Sequence, residues 1–402
     1  MRKTLITGVG MITSLGSNVE TTWNSLVEGK CGIRRISKFD ASNLETQIAA
    51  EVDNCFEEQA AKVISKRHRR QMTRSTRMLV TAAEEAITDS NIDFENFDKT
   101  RIGIFLGIVS TGYDEFEKQE SNSHAIVKSM ANAPAAWISI MHGLEGPAFS
   151  MATACASSAY AISIAHNMIR SGVIDIAIVG GGDSHIDPEY ISGFNQILAM
   201  STKNDMPEKA SAPFSKTRDG FVMGEGAGVM VLEAEEIALK RNARILAELA
   251  GTAITSEAGD ITAPKAEGEG MAKTMRLALK DAGIAYNDVD YVNAHGTSTY
   301  LNDKYETKAI KECFGDRAYK LVVSSSKSMI GHTIGAAGSI EGIICVKTIG
   351  SGIVTPTINY IKDDELDLNY VPDKYVEKDI NVAVSNSFGF GGHNATLVFK
   401  RY

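Results

Sequence analysis

Residues 155–172 read C-A-S-S-A-Y-A-I-S-I-A-H-N-M-I-R-S-G, and residues 335–352 read G-A-A-G-S-I-E-G-I-I-C-V-K-T-I-G-S-G. Both stretches open on small residues, continue with an apolar pattern of helical period and end in Ser-Gly. A second pair, G-E-G-A-G-V-M-V-L-E at 224–233 and G-G-H-N-A-T-L-V-F-K at 391–400, lies at a similar separation. Two such pairs predict an internal duplication. We therefore expect two similar halves, residues 1–240 and 241–402.

Short apolar runs with strand character alternate with stretches of helical period along the chain. The strand-like runs are Arg101–Leu106, Ile174–Val179, Val229–Leu232, Leu321–Ser324 and Ile380–Val384, and the helix-like stretches include Met78–Ile87 and Ala272–Leu279. This alternation predicts a layered α/β fold.

The composition is that of an ordinary globular enzyme, with 402 residues, 44% of them hydrophobic and 23% charged. A formal net charge of −9 argues against a global role in nucleic-acid binding. The five cysteines are odd in number and form no C-x-x-C pair, which indicates neither a disulfide framework nor a zinc site and fits a reducing cytoplasm. No run of about 18 apolar residues is present, so no transmembrane span and no membrane partner are expected.

A single cysteine stands in the motif T-A-C-A-S-S at Thr153–Ser158, just before the first repeated helix. The small residues and the apolar pattern that follows place Cys155 at a strand-to-helix turn. A helix N-terminus stabilises a thiolate through its partial positive charge, which predicts a lowered pKa and a reactive thiol. The alternative is a buried inert thiol, and the other four cysteines keep that interpretation: Cys31, Cys55, Cys313 and Cys345.

Two histidines and a lysine occupy similar turns in the second half. The motif Y-V-N-A-H-G-T-S-T at Tyr291–Thr299 places His295 at the C-terminal end of a strand, where α/β proteins build active sites. The motif S-S-S-K-S-M-I-G-H-T-I-G-A-A-G at Ser324–Gly338 puts Lys327 and His332 in one glycine-rich turn before a helix. Taken singly, each residue has a structural alternative: a satisfied histidine or a solvated lysine.

The glycine-rich stretch S-N-S-F-G-F-G-G-H-N at Ser385–Asn394 can bring backbone N–H groups close to a ligand, although a plain turn between two strands is the alternative. With the other motifs it supplies one thiol, two histidines, one lysine and a loop of amide donors. That inventory suits acyl transfer through a thioester.

These motifs, in this order, resemble the β-ketoacyl-acyl carrier protein synthases of the thiolase superfamily, close to synthase II. The resemblance runs essentially end to end and also includes G-V-G-M-I-T-S-L-G near the start and F-S-K-T-R-D-G-F-V-M-G-E-G-A-G in the middle of the chain. It implies a thiolase fold, in which two duplicated halves form a five-layered α-β-α-β-α sandwich. It also implies that the protein elongates a fatty-acid or polyketide chain by two carbons, through decarboxylative condensation of an acyl-enzyme with malonyl-acyl carrier protein.

The resemblance assigns roles to residues that match the family motifs. Cys155 would be the nucleophile, with its own amide and that of Phe390 as the oxyanion hole, and His295 and His332 would stabilise the enolate. Lys327 would support the histidines and pair with Glu341. The remaining matched residues would shape the surroundings: Gly389, Gly391 and Gly392 free the gate residue Phe390, Phe388 packs behind it, Thr297 and Thr299 hold the pantetheine arm, and Asp303 and Glu306 are structural.

The implied partners are acyl carrier protein and malonyl-acyl carrier protein, with a homodimer expected and a heterodimer as the alternative. No cofactor and no metal are implied, since the substrates arrive on the phosphopantetheine of the carrier. The stretch Lys62–Arg77 holds seven Lys or Arg residues and no acid, which suits an acidic carrier. Lys66, Arg69 and Arg70 are the candidate docking contacts, and a solvated basic face or a dimer interface is the alternative.

Other functions fit the sequence less well. Residues Gly107–Pro147 depart from the synthase II pattern in the region that lines the family's acyl pocket, which leaves chain length open. A ketosynthase of a dedicated type II polyketide or polyene pathway, working with a partner subunit, is therefore the main alternative. Cys155 argues against a non-catalytic chain-length subunit. A thiolase would need a second late cysteine, and a Cys-His hydrolase would leave Lys327 and the second histidine unexplained.

Overall fold

The computed structural model describes residues 1–110 and 125–402. Its strands are β1 Thr4–Ile12, β2 Arg34–Arg35, β3 Ile48–Ala49, β4 Ile102–Gly107, β5 Ala148–Met151, β6 Ile176–Asp183, β7 Gly226–Ala234, β8 Ala247–Ser256, β9 Tyr291–Asn293, β10 Val322–Ser324, β11 Ile353–Val354, β12 Val376–Glu377, β13 Val382–Gly389 and β14 His393–Lys400. The α-helices, numbered over the described residues, are α1 Val19–Val27, α2 Phe56–Val63, α3 Lys66–Arg69, α4 Arg74–Ser90, α5 Ala125–Ser129, α6 Ala133–His142, α7 Ser157–Arg170, α8 Pro188–Gln196, α9 Glu235–Lys240, α10 Glu269–Ala282, α11 Tyr300–Phe314, α12 Lys327–Ile330 and α13 Ala337–Ser351.

The main sheet repeats one strand pattern twice. Its order is β10-β9-β13-β14-β8-β1-β7-β6-β4-β5. From β1 outward, β7 and β6 run antiparallel to their neighbours, and β4 and β5 follow in parallel. From β8 outward, β14 and β13 are antiparallel and β9 and β10 parallel in the same way. The duplication read from the sequence is therefore present in the topology.

Helices cover both faces of each half and meet in the middle. The apolar residues of α4 and α6 pack on one outer face, and those of α10 and α11 on the other. The two repeated helices, α7 and α13, lie between the halves, where the Ser339 amide donates to Ser158 Oγ at 2.9 Å. A Cβ on Gly338 would come within 2.9 Å of the Ala159 Cβ, so a glycine is needed for this approach. The order of layers is thus α-β-α-β-α, and the predicted fold is confirmed.

The structure extends the prediction in one respect. The two halves are not separate sheets, because β1 and β8 pair antiparallel over Thr4–Ile6 and Ala247–Leu249 and join them into one hydrogen-bonded sheet. Each predicted strand-like run overlaps an observed strand, although four of the five begin one or two residues too early. Both helix-like stretches lie inside longer helices, α4 and α10.

The fold gathers the candidate residues at strand ends. Cys155 follows β5, His295 follows β9, Lys327 follows β10, and Phe390 follows β13. Among the described residues, no helix is both long enough and apolar enough to span a bilayer.

Candidate active site

Cys155 sits in a tight turn between β5 and α7. Ala154, just before it, adopts a left-handed conformation with φ of 49°, which is strained for a residue with a side chain. The turn is held by the Ala156 amide, which donates to the Thr153 carbonyl at 3.1 Å, and by Ser157 Oγ, which accepts from the Thr153 amide at 2.9 Å. The strain is thus balanced by local hydrogen bonds, and Cys155 lies at the start of α7 as predicted.

The two histidines converge on this cysteine. The ligand-capable atoms of Cys155, His295 and His332 all lie within 4.8 Å of one another, and all three side chains are buried. The two imidazoles meet edge to face, with ring centroids 5.3 Å apart. One thiol and two imidazoles from both halves of the chain therefore share one small volume.

The backbone fixes His332 and one of its ring nitrogens. The His332 amide donates to the Val222 carbonyl at 2.7 Å, and its carbonyl accepts from the Gly224 amide at 2.9 Å. His332 Nδ1 accepts from the Ile334 amide at 3.3 Å. A neutral imidazole with Nδ1 as acceptor carries its proton on Nε2. Nε2 has no hydrogen-bond partner among residues 1–110 and 125–402, so it is a donor available to a ligand.

His295 is held through its main chain. Glu306, in α11, accepts from the His295 amide and from the Gly296 amide, each at 2.8 Å. His295 Nδ1 has no hydrogen-bond partner in the part of the chain that the structure describes. The ring packs edge-on against Phe388, 6.0 Å between centroids. The carboxylate expected to be structural therefore anchors the peptide of a candidate catalytic histidine.

Burial keeps the thiol and the two imidazoles uncharged at rest. It lowers the pKa of both histidines well below the ordinary value, and the Lys327 cation lowers them further. Burial also raises the pKa of the Cys155 thiol to about 11, against the lowering effects of Lys327 and of the Phe390 and Cys155 amides. The expectation of a lowered thiol pKa is therefore wrong, because loss of hydration outweighs the helix N-terminus. The site at rest holds a thiol and two neutral imidazoles.

Lys327 and Glu341 form a buried ion pair beside the cluster of Cys155, His295 and His332. Lys327 starts α12, Glu341 lies in α13, and Lys327 Nζ donates to Glu341 Oε1. Burial raises the pKa of Glu341 to about 7, and Lys327 opposes this rise. The Lys327 charge lowers the pKa of the Cys155 thiol and of both imidazoles, so it acts on all three groups. Neither Lys327 nor Glu341 lines the cavity.

The glycine-rich loop lies directly against the cysteine. A Cβ on Gly389 would stand 2.9 Å from the Thr153 carbonyl oxygen and 3.2 Å from the Cys155 amide, so only glycine allows this approach. Gly391 has a φ of 80° and donates its amide to the Ile261 carbonyl at 2.7 Å. Phe390 packs near Phe194, with ring centroids 6.3 Å apart. The predicted gate residues are thus brought to the nucleophile.

A cavity of about 420 Å³ opens onto these groups. Of the predicted site residues, it is lined by Cys155, His295, His332, Thr297, Thr299, Phe388, Gly389, Phe390 and Gly392. The Thr297 and Thr299 hydroxyls are 2.9 Å apart. The basic docking candidates are elsewhere: Lys66 and Arg69 lie on α3 and Arg70 at its end, and none of them lines the cavity.

Sequence reasoning missed several cavity residues. Phe194 and Phe221 line it, and their rings lie 5.3 Å apart, while Phe221 stands edge-on to His332 at 5.7 Å. Val109 and Ile334 complete an apolar wall. Phe221 occurs inside a recognised motif, but nothing in the sequence pattern ties Phe194 to the site. Of the divergent stretch Gly107–Pro147, residues 111–124 lie outside the described residues.

The cluster of Cys155, His295 and His332 could also offer three ligand atoms to a metal ion. The nearby Lys327 cation opposes a second positive charge, and the Nδ1 acceptor role of His332 uses one of its two nitrogens. The donor set therefore fits acyl chemistry better than a resident metal.

Comparison with known proteins gives consistent matches. Residues 1–238 match the family described as beta-ketoacyl synthase, N-terminal domain, and residues 246–361 match beta-ketoacyl synthase, C-terminal domain. A 3-oxoacyl-[acyl-carrier-protein] synthase 2 from Coxiella burnetii is 42% identical over 411 residues, covering 100% of this chain and 99% of the relative.

Two solved structures are similar over their whole length. The ishigamide ketosynthase/chain length factor has a TM-score of 0.93 and 32% identity, covering 100% of this chain and 99% of that one. A type II PKS acyl-carrier protein in complex with its ketosynthase bound to the hexaketide, AntDE:AntF, has a TM-score of 0.91 and 30% identity, with the same coverage.

Proposed function

The chain belongs to the β-ketoacyl synthase family, and on that premise we propose that it is a 3-oxoacyl-acyl carrier protein synthase of the synthase II type. It joins an acyl chain held on Cys155 to the two-carbon unit of malonyl-acyl carrier protein. The observation that carries this proposal is the convergence of Cys155, His295 and His332 within 4.8 Å, under two backbone amides and beside a buried lysine.

In the first half-reaction, the Cys155 sulfur attacks the thioester carbonyl of an acyl-carrier protein. The S–C bond to the enzyme forms, the carrier thiol departs, and the thiol proton of Cys155 leaves with the carrier. The amides of Cys155 and Phe390 stabilise the oxyanion of the tetrahedral intermediate, since both already interact with the sulfur. A neutral imidazole beside the thiol takes up the proton for the moment of attack, because a thiol with a pKa of about 11 is little ionised on its own.

In the second half-reaction, malonyl-acyl carrier protein loses carbon dioxide and leaves an enolate. His332 Nε2–H donates to the enolate oxygen, and His295 stands at the same point as the second donor. The enolate carbon attacks the acyl-Cys155 carbonyl, the new C–C bond forms and the thiolate is expelled. The thiolate takes up one proton, which restores the resting thiol.

The surrounding residues support these steps. The Lys327 cation, held by Glu341, favours the negative charge that develops at the oxyanion and enolate. Thr297 and Thr299 offer hydroxyls to the amides of the pantetheine arm. Phe390 acts as the gate, with Gly389 and Gly391 supplying its freedom, and Phe388 packs behind His295. No cofactor takes part, because the substrates are carried on the phosphopantetheine of acyl carrier protein.

An acidic acyl carrier protein docks on the basic segment through Lys66, Arg69 and Arg70. In the segment Lys62–Arg77, Arg74 pairs with Glu225 and Arg77 with Glu57. Within residues 1–110 and 125–402, Lys66, Arg69 and Arg70 form no ion pair, and Arg69 Nε donates to the Ile64 carbonyl at 3.2 Å. Lys66 and Arg70 are exposed on α3 and at its end. Charge complementarity supports this site, and the carrier-bound neighbour AntDE:AntF supports a carrier as the partner.

We also propose a division of the chain into residues 1–240 and 241–402, a dimer and a cytoplasmic location. The repeated strand order and the two family matches, which end at 238 and begin at 246, support the division. β5 is an edge strand whose Phe149 is 36% exposed, and it supports pairing with a second subunit.

The alternative is the same chemistry in a type II polyketide or polyene pathway with a partner subunit. The similarity to the ishigamide ketosynthase/chain length factor favours it. A non-catalytic partner subunit is the weaker alternative, since such a subunit has no use for a complete cysteine–histidine–histidine cluster.

Intact mass after incubation with acyl-carrier proteins of different chain type tests the proposal. We expect a single stoichiometric acyl adduct on Cys155, absent in Cys155→Ala. Saturated donors would assign the protein to fatty-acid synthesis, and unsaturated or aromatic donors to a polyketide pathway. Failure of every donor to form the adduct, with a folded protein, would contradict the proposal.

A further inference from the structure

A buried carboxylate outside the catalytic cluster joins two chain segments that line the cavity. Asp183 ends β6 and is fully buried. Its Oδ1 accepts from the Val109 amide at 3.1 Å, and its Oδ2 accepts from the Gly335 amide at 2.7 Å. A Cβ on Gly335 would stand 2.3 Å from Asp183 Oδ2, so the contact requires a glycine. One side chain thus fixes the segment after β4 and the turn that follows His332.

Both segments carry apolar cavity residues. Val109 lines the cavity directly, and Ile334, next to Gly335, also lines it and has a left-handed φ of 48°. A hydrocarbon chain suits this apolar wall, whereas Thr297 and Thr299 suit the polar pantetheine arm. The shape of the acyl end therefore depends on where Asp183 holds these two segments.

His185 extends the same assembly to a third wall. It is 2% exposed, and its Nε2 lies 3.1 Å from Asp183 Oδ1. Its ring stacks on Tyr190, with centroids 4.4 Å apart and planes at 27°. Tyr190 belongs to α8, and the same helix presents Phe194 to the cavity and to the gate residue Phe390.

We propose that Asp183 and His185 are positioning residues that set the preferred length of the acyl chain. They do so by holding the cavity residues Val109, Ile334 and Phe194 in fixed positions relative to one another. The inference rests on the proposed function, since it needs an acyl chain in the cavity. Neither residue lines the cavity, so the pair acts through its neighbours and not on the reacting atoms. The Asp183 charge also raises the pKa of the Cys155 thiol, which places the carboxylate within electrostatic range of the nucleophile.

The test is the specificity constant kcat/KM for acylation of Cys155 across saturated donors of increasing chain length. His185→Ala should change the ratio between long and short donors by about tenfold, because small displacements of a cavity wall have large effects on rate. His185→Gln keeps an N–H that can donate to Asp183 and should retain most of the wild-type ratio. Malonyl decarboxylation, which involves no long chain, should change less than about threefold in both variants.

The matched control is His142→Ala. His142 also pairs with a carboxylate, Glu84, at 2.6 Å, and neither residue lines the catalytic cavity. This variant should leave the chain-length ratio unchanged. Asp183→Asn should alter the ratio and also lower the pH at which iodoacetamide alkylates Cys155, an effect that a general loss of stability would not produce.

The outcomes separate the two proposals. Wild-type protein that forms no acyl adduct contradicts the proposed function. If the wild-type protein is acylated and the variants keep its chain-length preference, the positioning role is overturned. The same holds if the variants lose activity equally for every donor and for malonyl decarboxylation. If His185→Ala does not fold, His185→Gln and Asp183→Asn decide the question by the same ratio.

Discussion

Glu306→Gln tests how a buried carboxylate holds His295. The side chain is fully buried, and its two oxygens accept from the His295 and Gly296 amides at 2.8 Å each. Glutamine has the same shape without the charge, but its amide offers only one acceptor and places a donor at the other position. One of the two backbone N–H groups must therefore lose its partner, and the peptide of His295 is the part of the site that loosens.

The ionisation of Glu306 gives the expected magnitude. Burial raises its pKa from 4.5 to about 7, the two backbone amides oppose the rise, and Asp303 adds to it. Because the pKa is higher in the folded protein than in the unfolded chain, protonation of Glu306 stabilises the fold. This contribution to the unfolding free energy is complete below about pH 4.5 and is lost as the pH rises through about 7. Between about pH 5.5 and 8 the wild type should lose about 2 kcal/mol of unfolding free energy from this group. The glutamine side chain does not titrate, so over the same pH range the unfolding free energy of the variant should rise by that amount relative to that of the wild type.

Urea unfolding of both proteins at pH 5.5 and pH 8 measures this difference, and malonyl decarboxylation measures the effect on His295. We expect decarboxylation to fall about tenfold, with acylation of Cys155 less affected. Glu51→Gln is the control, since Glu51 Oε1 also accepts from two backbone amides, of Ser37 and Lys38, and neither of these belongs to a candidate catalytic residue. Parallel pH dependences would refute the ionisation argument, and unchanged decarboxylation would refute the anchoring of His295.

Four further substitutions probe the cluster directly. Cys155→Ala should abolish the acyl-enzyme adduct in intact mass and leave the thermal unfolding temperature within a few degrees; retained condensation would contradict the nucleophile assignment. His332→Ala and His295→Ala should slow malonyl decarboxylation about a hundredfold or more and acylation less, and a wild-type decarboxylation rate would exclude the enolate role. Lys327→Met should destabilise the fold by about 3 kcal/mol, because it leaves Glu341 buried without its cation, and should slow alkylation of Cys155 at pH 8; faster alkylation would contradict the electrostatic role of Lys327.

The fold could be predicted because its helices and strands, and the duplication of its halves, leave repeated patterns in the sequence. The repeated helix openings at Cys155 and Gly335 reflect a duplicated strand order, and small residues recur there because α7 and α13 pack closely between the halves. The catalytic residues could be predicted because each follows a strand end in a compact motif. The joining of the halves through Thr4–Ile6 could not, since a three-residue pairing leaves no distinct sequence pattern.

The residues that were missed act across long sequence separations. Phe194 reaches the gate from α8, and Asp183 joins segments that carry Val109 and Gly335. No local pattern marks such contacts, because the partners are brought together only by the packing of the sheet. The thiol pKa was misjudged for a related reason, since the helix N-terminus is visible in the sequence while the loss of hydration at Cys155 depends on the residues folded over it.

The neutral thiol and imidazoles of the resting site are suited to a reaction in which negative charge forms only transiently. A permanent thiolate beside Lys327 would be stabilised before any substrate arrived, and that stabilisation would have to be lost when the sulfur attacks. With a neutral thiol and neutral imidazoles, no negative charge stands at the reacting atoms until the oxyanion and the enolate form, and there the Lys327 cation and the two amides can stabilise it. The cation and the amide donors therefore stabilise the two transition states more than the resting state, and the strained turn at Ala154 keeps the sulfur where those charges form.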